Sequence, residues 1–119
     1  MRKLEIGSSR FTQIIAIDEP SHGNACHFYR IETTATADPV AIVGQIDFQK
    51  GPIKEHGVNG CHHEDLLAIV LDRLQSFQSG DFKCRENALA ITKIEEALHW
   101  LNHRTASRQS RGVEGTSAA

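Results

Sequence analysis

The hydrophobic period of this chain changes once, near residue 60, and that change constrains the fold more than any motif does. Before it, β-branched and alternating segments dominate. "RFTQIIAI" (Arg10–Ile17), "ACHFYRIETT" (Ala25–Thr34) and "VAIVGQIDF" (Val40–Phe48) read as strands, bounded by the turn segments "DEPSHGN" and "ATADP". In the second strand Cys26, Phe28, Arg30 and Glu32 fall on one face, and His27, Tyr29, Ile31 and Thr33 on the other. Residues Lys3 to Ile6 are a candidate edge strand. Parallel neighbours need long crossovers, so connections this short point to an antiparallel meander of three to four strands.

After Gly60 the period is helical. Leu66, Leu67, Val70, Leu71, Leu74 and Phe77 form one stripe, with Asn59 as the expected N-cap. "SGD" at Ser79–Asp81 interrupts the pattern, and Ala88, Ile91, Ile94, Ala97, Leu98 and Leu101 form a second stripe. Two helices separated by so short a break make an antiparallel hairpin. The glycine-rich and proline-containing "QKGPIKEHGVNG" between sheet and hairpin reads as a loop. The expected fold class is therefore α+β, a small antiparallel β-sheet followed by a two-helix antiparallel hairpin. The chain is read as one domain over 1–119: about 1–59 sheet and loop, 60–104 hairpin, 105–119 an Arg-rich and Gly-rich tail. The closing "GVEGTSAA" is expected to be mobile or held by a partner chain.

Composition narrows the function classes. At 39% hydrophobic and 24% charged residues the chain is globular. A net charge of -2 and a pI of about 6.4 weigh against a general nucleic-acid binder. The first residues, "MRKLEIGSSR", lack the apolar run of a signal peptide, and no stretch approaches the roughly 20 apolar residues of a membrane span. The three cysteines show no disulfide spacing. The expectation is a cytoplasmic protein with reduced thiols.

Several polar residues stand on otherwise apolar faces. Arg73 shares a helical face with Leu66, Ile69, Val70 and Phe77, where a long cation snorkels to water. Asn87 lies with Ile91, Ile94 and Leu98; an amide there either caps the helix pair or reads the polar edge of a ligand. Phe77 closes the first helix, as core or as a platform on which a base stacks. In a tight hairpin Phe77 and Asn87 become neighbours, a flat apolar surface beside an amide. "RTASRQSR" then places Arg104, Arg108 and Arg111 at steps of four and three. They offset a helix dipole, or, as guanidinium groups with no acidic residue between them, they take phosphate.

A set of His22, Cys26, His27, Cys61, His62, His63 and Cys84 raises structural zinc as an alternative. There is no CxxC or HExxH, and adjacent Cys26 and His27 point to opposite faces of a strand. No motif marks a nucleophile with its base, a P-loop, a GxSxG elbow or a Rossmann glycine pattern. No enzyme, no metal and no cofactor are expected.

From "GPIKEHGVNG" to "RGVEGT" the chain resembles a phage family. The resemblance rests on "GVNG", "EDLL", "DRLQSFQSG", "REN", "EEAL", "WLN", "RT" and "RGVEGT", spread over the last half of the sequence. These resemble the helical-hairpin segment of the Thoeris anti-defence sponges, shared with some anti-CBASS sponges. The resemblance implies a protein that binds a TIR-made cyclic ADP-ribose isomer and holds it unchanged. It further implies a homo-oligomer, a dimer or a hexamer built as a trimer of dimers, in which some members carry a second pocket for cyclic di- or trinucleotides. Carried over by position, the aromatic is Phe77, the amide Asn87, and the phosphate-binding arginine Arg104 or, second, Arg108. The loop at Gly23 and Asn24 is expected to meet these arginines from another subunit. Where the family has a basic residue before the helices, this chain offers Lys50 and Lys54. Outside that resemblance, the alternative is a small zinc-binding or nucleic-acid-binding accessory protein.

Overall fold

The computed structural model describes residues 1–7, 9–34 and 39–116. Two compact units divide the chain, Met1–Cys61 and His62–Ala119.

The first unit is a four-stranded antiparallel meander in sequence order. Its strands are β1 (Arg2–Lys3), β2 (Thr12–Ala16), β3 (Phe28–Thr33) and β4 (Ile42–Asp47). The strands are shorter than the apolar runs that suggested them, because the run ends bend into turns, and the edge strand is Arg2–Lys3 rather than Lys3–Ile6. The register pairs Ile14 with Ile31 and Ile31 with Gly44, so Ile14, Ala16, Tyr29, Ile31 and Ile46 share one face. Tyr29 meets Phe48 edge-on on that face, at 5.7 Å and 85°. A bulge beside Ile31 and Glu32 places Val43 outside the ladder. Most of the expected turn "ATADP", residues 35–38, lies outside the described residues.

The segment expected to be a loop, Gln49–Gly60, contains a one-turn helix, α1 (Ile53–His56). Two side-chain amides stitch it closed. Gln49 Nε2 donates to the carbonyls of Gly51 (3.1 Å) and Gly57 (2.8 Å). Asn59 accepts from the Lys50 N–H and donates to the Lys50 carbonyl, each at 2.8 Å. Asn59 is therefore committed to this loop, and the N-cap of the next helix is His62, not Asn59. Gly60 lies so close to the backbone of Asp47 and Phe48 that a Cβ would sit 2.4 Å from the Phe48 carbonyl carbon.

The second unit is the hairpin, α2 (His63–Gln78) and α3 (Arg85–Ser110). At the start of α2 the Asp65 carboxylate accepts the His62 N–H at 2.9 Å, one half of a capping box. The inward stripes follow the expected ones except at one position in each helix. Val70 is 47% exposed and Ile69 65%, so Arg73 does not share a buried face with them. On α3 the half-buried position is Ala90, not Ala88. α3 also continues past Arg104 to Ser110, two turns into the stretch expected to be tail. The tail then turns back, with the Val113 N–H on the Arg108 carbonyl at 3.1 Å. Residues 117–119, the end of "GVEGTSAA", lie outside the described residues.

Candidate ligand site

The residues singled out in the sequence fall into three places. The first is the α2–α3 turn. α2 ends where the Ser79 N–H bonds the Gln75 carbonyl (3.1 Å) and the Gly80 N–H bonds the Phe77 carbonyl (3.2 Å). This leaves the half-buried Phe77 ring at the mouth of the turn, where Phe82 meets it edge-on at 6.0 Å and 81°. The Arg73 guanidinium carbon stands 5.1 Å from the Phe77 centroid. Arg73 thus does more than snorkel; it stacks on the aromatic.

Asn87 is the third residue of α3 and is half-buried. Its side-chain Nδ2 donates to the Phe82 carbonyl at 3.3 Å, and its backbone N–H donates to Cys84 Sγ, the N-cap, at 3.4 Å. A carbonyl only accepts, so this contact fixes which end of the Asn87 amide faces the turn. Among the described residues nothing donates to Oδ1, which keeps its capacity to accept a hydrogen bond. Phe77 and Asn87 are therefore joined through one residue, Phe82, which gives its ring to the first and its carbonyl to the second. Gln78 holds the same turn from the α2 side. Its Nε2 donates to the Cys84 carbonyl (3.0 Å) and its Oε1 accepts the Cys84 N–H (3.1 Å). Sequence reasoning missed Gln78 and Phe82 and weighed Cys84 only as a zinc ligand, because the roles of all three rest on contacts across the turn.

The second place is the end of α3. Arg108 is half-buried and its Nη2 donates to the carbonyls of Val113 (3.1 Å) and Thr116 (3.0 Å). It acts here as the cation that closes the helix end. Arg104, one turn earlier, is exposed, and its guanidinium makes no hydrogen bond or ion pair among the described residues. Arg111 is the C-cap of α3.

The third place, in the first unit, is the loop holding Gly23 and Asn24. Both have left-handed backbones, at φ 72° and 62°. The loop is closed by Asn24 N–H to the Ser21 carbonyl (2.8 Å), Ser21 N–H to the Ala25 carbonyl (3.0 Å) and the His27 Nε2 to the His22 carbonyl (2.9 Å). Its anchor is Asp18. The carboxylate accepts the His27 N–H at 3.0 Å and the Phe28 N–H at 3.1 Å, while the Asp18 carbonyl accepts from Cys26 Sγ at 3.2 Å. Desolvation pushes the Asp18 carboxyl up, but the N–H groups of His27, Phe28 and Asp18 itself, with the nearby His27 ring, outweigh it and hold its pKa below the ordinary value. An aspartate opening a turn is a known backbone acceptor, and that was the available signal for this residue. Lys50, weighed as a basic contact, has its ammonium 6.0 Å from the Phe28 centroid.

Among the described residues no three His, Cys, Asp or Glu side chains converge as a metal would require. Cys26 and His27 are turned to backbone carbonyls instead. All three cysteines are free thiols. Among the described residues no helix is long and apolar enough to cross a membrane.

An antiparallel sheet followed by a helical hairpin defines an α+β protein whose singled-out residues cluster at turns and helix ends. The family model described as the Acb2/Tad1 hairpin domain matches residues 41–106, more than half of the chain. The chain is 44% identical over 117 residues to Thoeris anti-defense 1 of Bacillus phage SBSphiJ7, an alignment that spans 96% of this chain and 82% of that protein. The chain belongs to the Acb2/Tad1 hairpin family.

Proposed function

We propose that the protein is a phage anti-defence factor that binds a cyclic nucleotide immune signal, a cyclic ADP-ribose isomer made by TIR proteins, and withholds it without breaking a bond. The observation that carries this reading is the α2–α3 turn. There Phe82 joins the Phe77 ring to the Asn87 amide, with Oδ1 of Asn87 open to a donor. An aromatic beside an oriented amide suits adenine, and stacking on such a ring is worth about 1–3 kcal/mol. The similarity to a phage protein named for Thoeris anti-defence supports the anti-defence role.

A binder of this kind competes with the effector for a scarce signal and needs a Kd near about 1 nM, or about -12 kcal/mol. Arg104 carries the phosphate, since its guanidinium is uncommitted and Arg108 is already satisfied by the tail carbonyls. The preorganised turn at Gly23 and Asn24, contributed by a second copy, closes over the ligand. No residue of α2 or α3 is buried, so the hairpin retains apolar surface for self-association as a dimer or a hexamer. Cyclic di- or trinucleotides are a second ligand class for Arg104. The protein acts inside the infected host cell, where the signal is made.

The test is calorimetric titration of the pure protein with the TIR-made cyclic ADP-ribose signal, beside Phe77→Ala plus Asn87→Ala and beside Arg104→Ala. Tight binding near one ligand per chain, abolished in the double variant, with intact signal released on heating, supports the reading. If Arg104→Ala keeps that binding, the arginine serves a different anion, a cyclic oligonucleotide. No heat with any cyclic nucleotide overturns the function and leaves Arg104 as a helix-end cation. Conversion of the signal to a new product would make the protein an enzyme.

A further inference from the structure

We infer that Gln78 is a positioning residue of the proposed ligand site, and that it sets which base the site accepts by holding Asn87 in one orientation. The inference rests on the reading of Phe77 and Asn87 as ligand contacts. Gln78 is the last residue of α2, yet its side-chain amide both gives and takes a hydrogen bond with the backbone of Cys84, the N-cap of α3. A primary amide pairing with one residue's N–H and C=O fixes that residue in position and in rotation. Cys84 in turn offers Sγ to the Asn87 N–H. Asn87 ties its Nδ2 to the Phe82 carbonyl, and the Phe82 ring meets Phe77 edge-on. These contacts form a closed circuit, Gln78 to Cys84 to Asn87 to Phe82 to Phe77, and Phe77 precedes Gln78 in the chain.

Thiol sulfur is a weak acceptor, so the Cys84 cap alone is a loose hold on the first turn of α3. The two bonds from Gln78 supply what the cap lacks. With the turn fixed and Nδ2 engaged, Asn87 offers Oδ1, an acceptor that matches an exocyclic amine and repels a carbonyl oxygen. The site thereby prefers an adenine-type base to a hypoxanthine-type base. Without Gln78 the first turn of α3 loosens, the Asn87 amide turns over more freely, and the preference fades.

The experiment uses the full chain with Gln78→Ala, and Gln78→Glu as a second variant in case the first folds poorly. Backbone amide exchange is read by NMR without ligand. Exchange at the Cys84 and Asn87 N–H is expected to rise at least about tenfold relative to the amides of Leu71 and Ile94. Calorimetry then compares the cyclic ADP-ribose isomer with the same compound carrying hypoxanthine. The parent is expected to prefer adenine by at least about tenfold, and the variants to lose most of that ratio. A mere loss of stability would weaken both ligands alike and leave the ratio in place. Unchanged exchange, or an unchanged ratio, overturns the inference while leaving the proposed function standing. A parent that binds both ligands equally also overturns it, because no oriented amide is then being read. A parent that binds neither overturns the proposed function together with the inference.

Discussion

Two irregular segments, one in each unit, carry proposed contacts, and each has one side chain that makes two hydrogen bonds to backbone. The loop at Gly23 and Asn24 hangs on Asp18, and the turn from Phe77 to Asn87 hangs on Gln78. The chemistry of the two anchors differs. Asp18 is an anion that only accepts, and it serves successive N–H groups where β3 begins. Gln78 is neutral, accepts once and donates once, and serves one residue. A charged anchor makes stronger bonds and can hold left-handed backbone in place, but it titrates. A neutral amide is weaker and indifferent to pH. Each anchor suits its load, since only the first segment contains positive φ angles.

The comparison can be broken most directly at the ligand. Phe77→Ala is expected to weaken the cyclic ADP-ribose complex by about 5–150-fold, the equivalent of one lost base stack, as read by calorimetry. A loss no larger than that of Asn24→Ala would mean that the hairpin turn is not the principal contact surface. On stability the order reverses. Asp18→Ala is expected to lower the thermal midpoint more than Gln78→Ala does, because it strands two N–H groups that had a charged acceptor.

The acid dependence sharpens the contrast. The folded pKa of Asp18 is lowered, so the stability it contributes is fully present above its unfolded value and is lost as pH falls through the folded value. Asp18→Asn should flatten the acid limb of the stability curve measured by urea unfolding. Gln78→Glu should do the opposite. A carboxyl facing the Cys84 carbonyl bonds it only when protonated, so its folded pKa is raised. That variant gains stability below about pH 4 and loses it as pH rises through the folded value.

Smaller effects complete the series. Gly23→Ala places a Cβ in open space on left-handed backbone, so only the conformational cost, about 1 kcal/mol, should appear in the unfolding free energy. Arg108→Ala should cost about 1 kcal/mol by releasing the Val113 and Thr116 carbonyls, while Arg104→Ala should stay within about 0.5 kcal/mol of the parent. If Arg104 were the more damaging of the two, it would be a structural cation after all.

The sequence by itself determined the elements that depend on periodicity. Alternation over Phe28–Thr33, the β-rich run at Thr12–Ala16, and three-four spacing from Leu66 to Leu101 favour these elements whatever the rest of the chain does. Short breaks likewise dictate antiparallel neighbours. What only the tertiary structure decided was the partner of each polar side chain. Asn59 was equally suited to cap α2 or to close a loop, and the nearness of Lys50 settled it. Arg104 and Arg108 are the same residue type one turn apart, and only the returning tail distinguishes them. Gln78 and Cys84 carry no spacing signal at all. The physical reason is that burial follows a repeat that is written locally, whereas a hydrogen bond needs its two atoms within about 3 Å. That distance is fixed only when the chain has folded.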